Sequence, residues 1–445
     1  MKLRRIFAGV FLILLAVFLS LAEVPAVRAG EVNLRSLLES ALKNSPQVRS
    51  ASLGVARATL TREEARSAYF PTLDLSGELV FLDNPPSVVI PGFGGPFPTS
   101  DKNLQRYRLE MNYVFFDFGR RKGMMKAAET GIEASSLQEG IVQEEKAFRV
   151  AEAVVSYMRA RSLLAVARSA LEMAREHERV ARALYDEGTI PRAELLEARV
   201  SVKEAERNLL SAENGLELAR INLAIEAKVP VERIDGDVEG LEVVKLEGDY
   251  REDLKRALSL RKELKLSDVA EMAASIERKN AITESFPLLF LNSSVSYESN
   301  SLNPYRKVLA GVIGFRWNLF SGFRDLQRRR KAALKQVEAR LERERLRDLI
   351  SLQVKDAFLS YREAEKQLAV AESAVETARE NLRMREAMFS EGEATSSDVV
   401  DAQFFLTRAL TERENARYDL ILAAYRRLMA RGEFLSSVMT LGERK

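Results

Sequence analysis

The sequence predicts a mainly α-helical, internally duplicated protein with a small β portion suited to a membrane. Three observations carry that expectation: a motif recurring at a fixed spacing, long heptad-like helices, and four alternating segments with one apolar face. Residues 187–199 read EGTIPRAELLEAR and residues 391–403 read EGEATSSDVVDAQ. Gly188 and Gly392 lie 204 positions apart, as do Glu194 and Asp398, and Ala198 and Ala402. A register held that strictly marks a structural repeat.

The helix before each motif repeats as well. Ala153, Tyr157, Ala160, Leu164, Ala167, Leu171 and Ala174 are spaced four and three residues apart. Ala357, Tyr361, Ala364, Leu368, Ala371, Val375 and Ala378 keep that spacing 204 positions later. This is a heptad-type seam whose small residues let helices approach closely; the two tyrosines read as packing. Residues 119–185 and 323–390 carry no Pro. Each predicts a helix of about 100 Å at 1.5 Å per residue. Shorter returning helices are expected at 191–229 and 394–431, and leading helices at 47–70 and 262–285.

Upstream, Leu38 to Leu42 resembles Leu254 to Leu258, and Tyr69-Phe70-Pro71 resembles Ser285-Phe286-Pro287, both 216 apart. Phe116 and Phe320 are already back at 204, so the first copy holds an insertion between Pro71 and Phe116. The Pro- and Gly-rich stretch PPSVVIPGFGGPFPTS fits it as a long loop. The flanking segments read as strands. Leu73, Leu75, Leu79 and Phe81 alternate with Asp74, Ser76 and Glu78; Tyr107, Leu109, Met111, Tyr113 and Phe115 alternate with Arg106, Arg108, Glu110 and Asn112. The second copy repeats this with Leu289, Leu291, Val295 and Tyr297, then Leu309, Ile313, Phe315, Trp317 and Leu319. Period-two alternation gives each strand one apolar face.

The expected organisation is therefore a signal segment at 1–29 and a first repeat at 30–229, with strands about 71–82 and 104–116 and a helix tip at 186–191. A connector at 230–250 follows. The second repeat, 251–432, has strands about 287–299 and 305–320 and a tip at 390–396, and a tail at 433–445 ends the chain. The signal rests on Lys2, Arg4 and Arg5 before the apolar run Ile6 to Leu21, with small residues before cleavage after Ala29. At about sixteen residues that run is short for a spanning helix. No later stretch is longer, so a mature chain within a membrane would have to be a β-barrel.

Composition excludes several classes. The 68 basic and 65 acidic residues leave a net charge of only +3, which gives no support for a nucleic-acid binder. The basic run at 324–347 reads as a solvated helix. Cysteine is absent, removing disulfides and thiolate chemistry. The lone histidine, His177, sits among charges in EHERVAR and reads as a solvated residue, not a metal ligand. No nucleophile–base pair, nucleotide-binding loop or metal spacing is found. No enzyme, cofactor or metal site is expected.

Four strands cannot close a membrane barrel, and open edges in lipid leave unpaired backbone groups costing several kcal/mol each. At this point the chain resembles the TolC-type outer-membrane efflux family. The resemblance lies in Phe116-Asp117-Phe118-Gly119-Arg120 and Trp317-Asn318-Leu319-Phe320-Ser321-Gly322, in Gly392 to Ala402, and in Ala416-Arg417-Tyr418-Asp419-Leu420. It implies a homotrimer in the outer membrane. Four strands per protomer would form a twelve-stranded β-barrel above an α-helical barrel that extends into the periplasm. It further implies an exit duct for efflux or type I secretion, coupled to a periplasmic adaptor (membrane fusion protein) and an inner-membrane transporter of the RND, ABC or MFS type.

The tip motifs then read as helix turns. Gly188 and Gly392 end long helices in the left-handed conformation, Pro191 opens the next helix, and Thr395 or Ser396 caps its counterpart. The resemblance makes Asp398 and Asp401 lining residues of the periplasmic entrance constriction, with Glu194 and Glu197 in the equivalent places. It assigns the turns at Gly188, Thr189, Gly392 and Glu393 to adaptor docking. Helix-dipole complementation is the competing reading of the carboxylates. Some relatives carry Arg where this chain has Ala394, so that closing tie is absent from the expectation. A soluble periplasmic coiled-coil adaptor or scaffold remains the alternative class, and the four alternating segments discriminate against it.

Overall fold

A computed structural model describes residues 33–92, 94–234, 236–238 and 245–441. The expected signal segment and parts of the connector and C-terminus lie outside the described residues. Each repeat begins with two helices, α1 (Leu34–Asn44) and α2 (Pro46–Ser67) in the first, and α5 (Tyr250–Leu260) and α6 (Lys262–Thr283) in the second. The long helices are α3 (Arg120–Asp186) and α7 (Arg324–Ser390), and they return through α4 (Arg192–Ala227) and α8 (Ser396–Arg431). Corresponding helices have equal lengths of 11, 22, 67 and 36 residues. α2 and α4 pack along successive parts of α3, and α6 and α8 do the same along α7. None of the described helices is long and apolar enough to cross a membrane.

The strands are β1 (Thr72–Phe81), β2 (Ser87–Val89), β3 (Pro96–Pro98), β4 (Asn103–Phe116), β5 (Leu288–Glu298) and β6 (Lys307–Arg316). One antiparallel sheet has the order β1-β4-β5-β6, two strands from each repeat. β1 and β6 are left as open edges. The loop between β1 and β4 is not wholly irregular: β2 and β3 form a short ladder within it. Period-two reading missed them because each is only three residues long.

The register aligns Leu75, Leu109, Val295 and Leu309 in one row. These residues are 78, 45, 48 and 76% exposed. An apolar row facing outward across a whole sheet is the reverse of a soluble sheet packed on a core. On the opposite face Asn292 donates to Glu110 and Asn112, and Arg106 pairs with Glu298. β6 ends at Arg316, short of the alternation that reaches Leu319, and the Trp317 indole donates to the Ser285 carbonyl at 3.0 Å.

The main core lies where α1, the middle of α3, the end of α4 and α8 meet. The C-terminal segment joins it as a helix, α9 (Phe434–Leu441); Phe434 is fully buried between Phe148 and Tyr425. Tyr157 and Tyr361 are buried as the seam requires. Each also holds the connector, Tyr157 by donating to the Gly236 carbonyl and Tyr361 by accepting from the Leu246 amide. Arg427 and Arg431 share the fully buried carboxylate of Asp253, and Arg427 also donates to the carbonyls of Leu246 and Gly248.

The basic run at the start of α7 is not simply solvated. Lys335, Arg340 and Arg343 pair with Glu277, Glu271 and Asp268 of α6, and Arg328 pairs with Glu284 just beyond its end. Each step along α7 matches a step back along α6, as antiparallel helices dictate. These pairs are exposed, worth about 0–1 kcal/mol each, so they set register more than stability.

Candidate functional site at the helix-hairpin tips

The two tips lie side by side around a shared apolar core. Ala181, Leu195 and Ala198 of the first hairpin meet Leu382, Phe389, Val399, Ala402 and Leu406 of the second. Ala394 packs against this cluster.

Both turns close alike. Gly188 and Gly392 have φ of 75° and 77°, the left-handed region in which a side chain costs about 1–2 kcal/mol. Thr189 donates its amide to the Leu184 carbonyl at 2.9 Å, and Glu393 donates to Met388 at 2.8 Å. These are the long-range bonds of a Schellman turn, and they satisfy carbonyls that the helix leaves open. The side chains of Thr189 and Glu393 are exposed.

The helix starts differ. α8 opens on Thr395 with a full capping box: its hydroxyl accepts from the Asp398 amide, and the Asp398 carboxylate accepts from the Thr395 amide at 3.0 Å. Asp398 also accepts from the Thr395 hydroxyl at 2.7 Å and pairs with Arg385 at 3.4 Å. The Thr395 bonds, foremost the backbone one, hold its carboxyl below the usual range. α4 opens on Pro191, which has no side-chain cap. Its Glu194 instead crosses to the other tip and accepts from the Ser396 amide at 3.3 Å. Asp401 and Glu197, one turn further along their helices, are exposed and have no hydrogen bond or ion pair to any described residue.

His177 corrects the sequence reading. It is only 6% exposed, its Nε2 lies 2.8 Å from the fully buried Ser396 hydroxyl, and its ring sits 5.0 Å from that of Phe389. Burial pushes its pKa down, favouring the neutral ring. The neighbouring charges misled the reading. Position 177 falls three residues after Ala174 and four before Ala181, both buried on the helix-facing side. Gln403 likewise escaped notice; it is buried and donates to the Met173 carbonyl at 3.2 Å. Heptad spacing from the seam would have found His177, three residues beyond Ala174. Among the described residues, no three carboxylates or imidazoles gather to hold a metal ion.

A tip that joins two hairpins, an outward apolar sheet and a twofold repeat can be compared with known proteins. The model of the family described as "Outer membrane efflux protein" matches residues 37–225 and again 254–430. The chain belongs to the outer membrane efflux protein family. The second match begins 217 residues after the first, consistent with duplication of the whole unit. Comparison with curated proteins finds no match. Solved structures of similar fold include CusC, with a TM-score of 0.78 and 18% identity, covering 90% of this chain and 93% of that one. The outer membrane protein VceC of Vibrio cholerae has a TM-score of 0.74 and 18% identity, covering 90% of this chain and 96% of that one. The open-state MtrE outer membrane channel of Neisseria gonorrhoeae has a TM-score of 0.74 and 19% identity, covering 93% of this chain and 94% of that one. At these identities the likeness is one of fold.

Proposed function

We propose that three copies of this chain form an exit duct in the outer membrane, gated at the periplasmic hairpin tips and coupled to an adaptor and an inner-membrane pump. The observation that carries the reading is the open four-stranded sheet with its exposed apolar row. In lipid its edge strands need partners, and neighbouring copies of the same sheet supply them. Three copies reach twelve strands, above the smallest barrels known to close. Large apolar side chains also stand exposed on the helices, among them Val200, Leu210 and Leu218 on α4 and Leu334, Leu341 and Val370 on α7. Packing between copies would cover them. Family membership and the fold shared with named outer membrane channels support the same reading. Cargo transfer draws its energy from the pump; the duct itself performs no chemistry.

Rings of Asp398 and Asp401, joined by Glu194 and Glu197, would line the closed entrance and attract divalent cations. Asp401 is the cleaner probe, because Asp398 is also a capping residue. The exposed turns at Gly188, Thr189, Gly392 and Glu393 are the surfaces offered to the adaptor. A charge placed at Leu109 or Phe315 tests the membrane reading. Leu109→Glu and Phe315→Glu should abolish outer-membrane assembly; recovery of both variants as normally assembled channels would defeat it.

A further inference from the structure

Where the sheet meets the long helices, a cleft of about 440 Å³ is lined by Arg120, Arg316, Arg324 and Arg328. Only two acids, Glu284 and Asp325, share it, so the lining carries a surplus of two positive charges. The four guanidinium groups are not equally occupied. Arg328 pairs with Glu284. Arg120 donates to the carbonyls of Thr283, Glu284 and Phe286 at the end of α6. Arg324 has one loose pair, with Asp325 at 3.8 Å. Arg316 has no hydrogen-bonding or acidic partner among the described residues; its guanidinium lies 5.5 Å from the centre of the Phe290 ring.

The two long helices start with different charges. At the start of α3, the Asp117 carboxylate accepts from the amides of Gly119 and Arg121 and pairs with Arg121 at 2.8 Å. It offsets the positive end of a 67-residue helix. The position 204 residues later is Ser321, whose neutral hydroxyl accepts from the Asp325 amide at 3.3 Å. The second long helix therefore lacks the buried carboxylate that precedes the first, and its acid is instead Asp325 in its own first turn, 204 positions after Arg121, beside Arg316 and Arg324.

We propose that this cleft binds a phosphate-class oxyanion, held between Arg316 and Arg324. Guanidinium forks match phosphate oxygens in a bidentate way. A phosphate monoester carries roughly −1.5 to −2 near neutral pH, which balances the surplus, and a phosphodiester headgroup, with about one charge, offsets half of it. The cleft is larger than the phosphate group alone and leaves room for an ester substituent. Arg316 shares its face of the sheet with Asn292, Asn112 and Glu110, so the site opens on the polar side. The bound group belongs either to a soluble phosphorylated solute or to a phospholipid headgroup.

The test uses the full-length protein purified in its assembled form. Calorimetric titration with inorganic phosphate, against chloride at matched ionic strength, should show saturable binding. Arg316→Gln and the double variant Arg316→Gln/Arg324→Gln should each weaken it at least tenfold, while Arg316→Lys, which keeps the charge and loses the fork, weakens it less than Arg316→Gln, and the thermal unfolding temperature stays constant. No saturable phosphate binding in the wild type, or undiminished binding in the double variant, would overturn the assignment. Co-purified lipid separates the sources. Phosphatidylglycerol retained by the wild type and lost from the double variant identifies a headgroup; phosphate binding without lipid retention identifies a soluble ester.

Discussion

At the first hairpin tip α4 starts on Pro191, with no side chain to cap it, while at the second α8 starts on Thr395 inside a complete capping box. The turns before them close alike, with φ of 75° and 77° at their glycines and the same long-range amide bond. Duplication has kept the backbone solution and let the side-chain chemistry diverge. The divergence ties the tips together at Ser396. Glu194, relieved of capping its own helix, accepts from the Ser396 amide of the second tip, and His177 of the first hairpin meets the Ser396 hydroxyl. Each tip thus leans on the other, and opening one means breaking bonds to its neighbour.

The largest expected effect sharpens this asymmetry. His177→Ala should remove about 2–4 kcal/mol of local tip stability, since it empties a packed site and orphans Ser396. The 204-shifted substitution Asn381→Ala should cost less than about 0.5 kcal/mol. Hydrogen exchange of tip amides reads both, and equal costs would dissolve the distinction.

Next comes pH. The folded pKa of His177 lies below its ordinary 6.5. The unfolded or opened tip therefore binds the proton more readily than the closed one. Stability is fully present above about pH 6.5 and falls as pH drops below it. The tips should exchange faster at pH 5 than at pH 7.5, and His177→Asn should flatten that response. An unchanged pH profile in the variant would remove His177 from the contact.

Capping gives a smaller difference. Thr395→Ala should cost about 1 kcal/mol at the start of α8, while Pro191→Ala should cost a fraction of that. Smallest in stability is Asp401→Asn, since the carboxylate is exposed and unbonded. It should leave exchange within experimental error yet weaken divalent-cation block of single-channel current. Undiminished block would take Asp401 out of the constriction.

Much of the fold was legible because period-based signals are long. Two 67-residue helices and strands of ten to fourteen residues give the pattern many chances to repeat. The left-handed glycines were legible for a different reason: few residues fill that conformation cheaply. What escaped were features set by partners distant in sequence. His177 looked solvated because its burial depends on α7 and α8, more than two hundred residues away. The basic run at 324–347 looked free because its acids sit on α6 with no local spacing to announce them. β2 and β3 were too short for alternation to register. The carboxylates at the tips were singled out, but the reach of Glu194 to the second tip was not, because it needs both tips in one frame.

The account rests on an incomplete sheet being completed by sister chains. The direct measurement is the mass of the particle extracted from outer membranes, by light scattering corrected for bound detergent. The account predicts three chains per particle, found only in the membrane fraction. A stable, water-soluble single chain would contradict it.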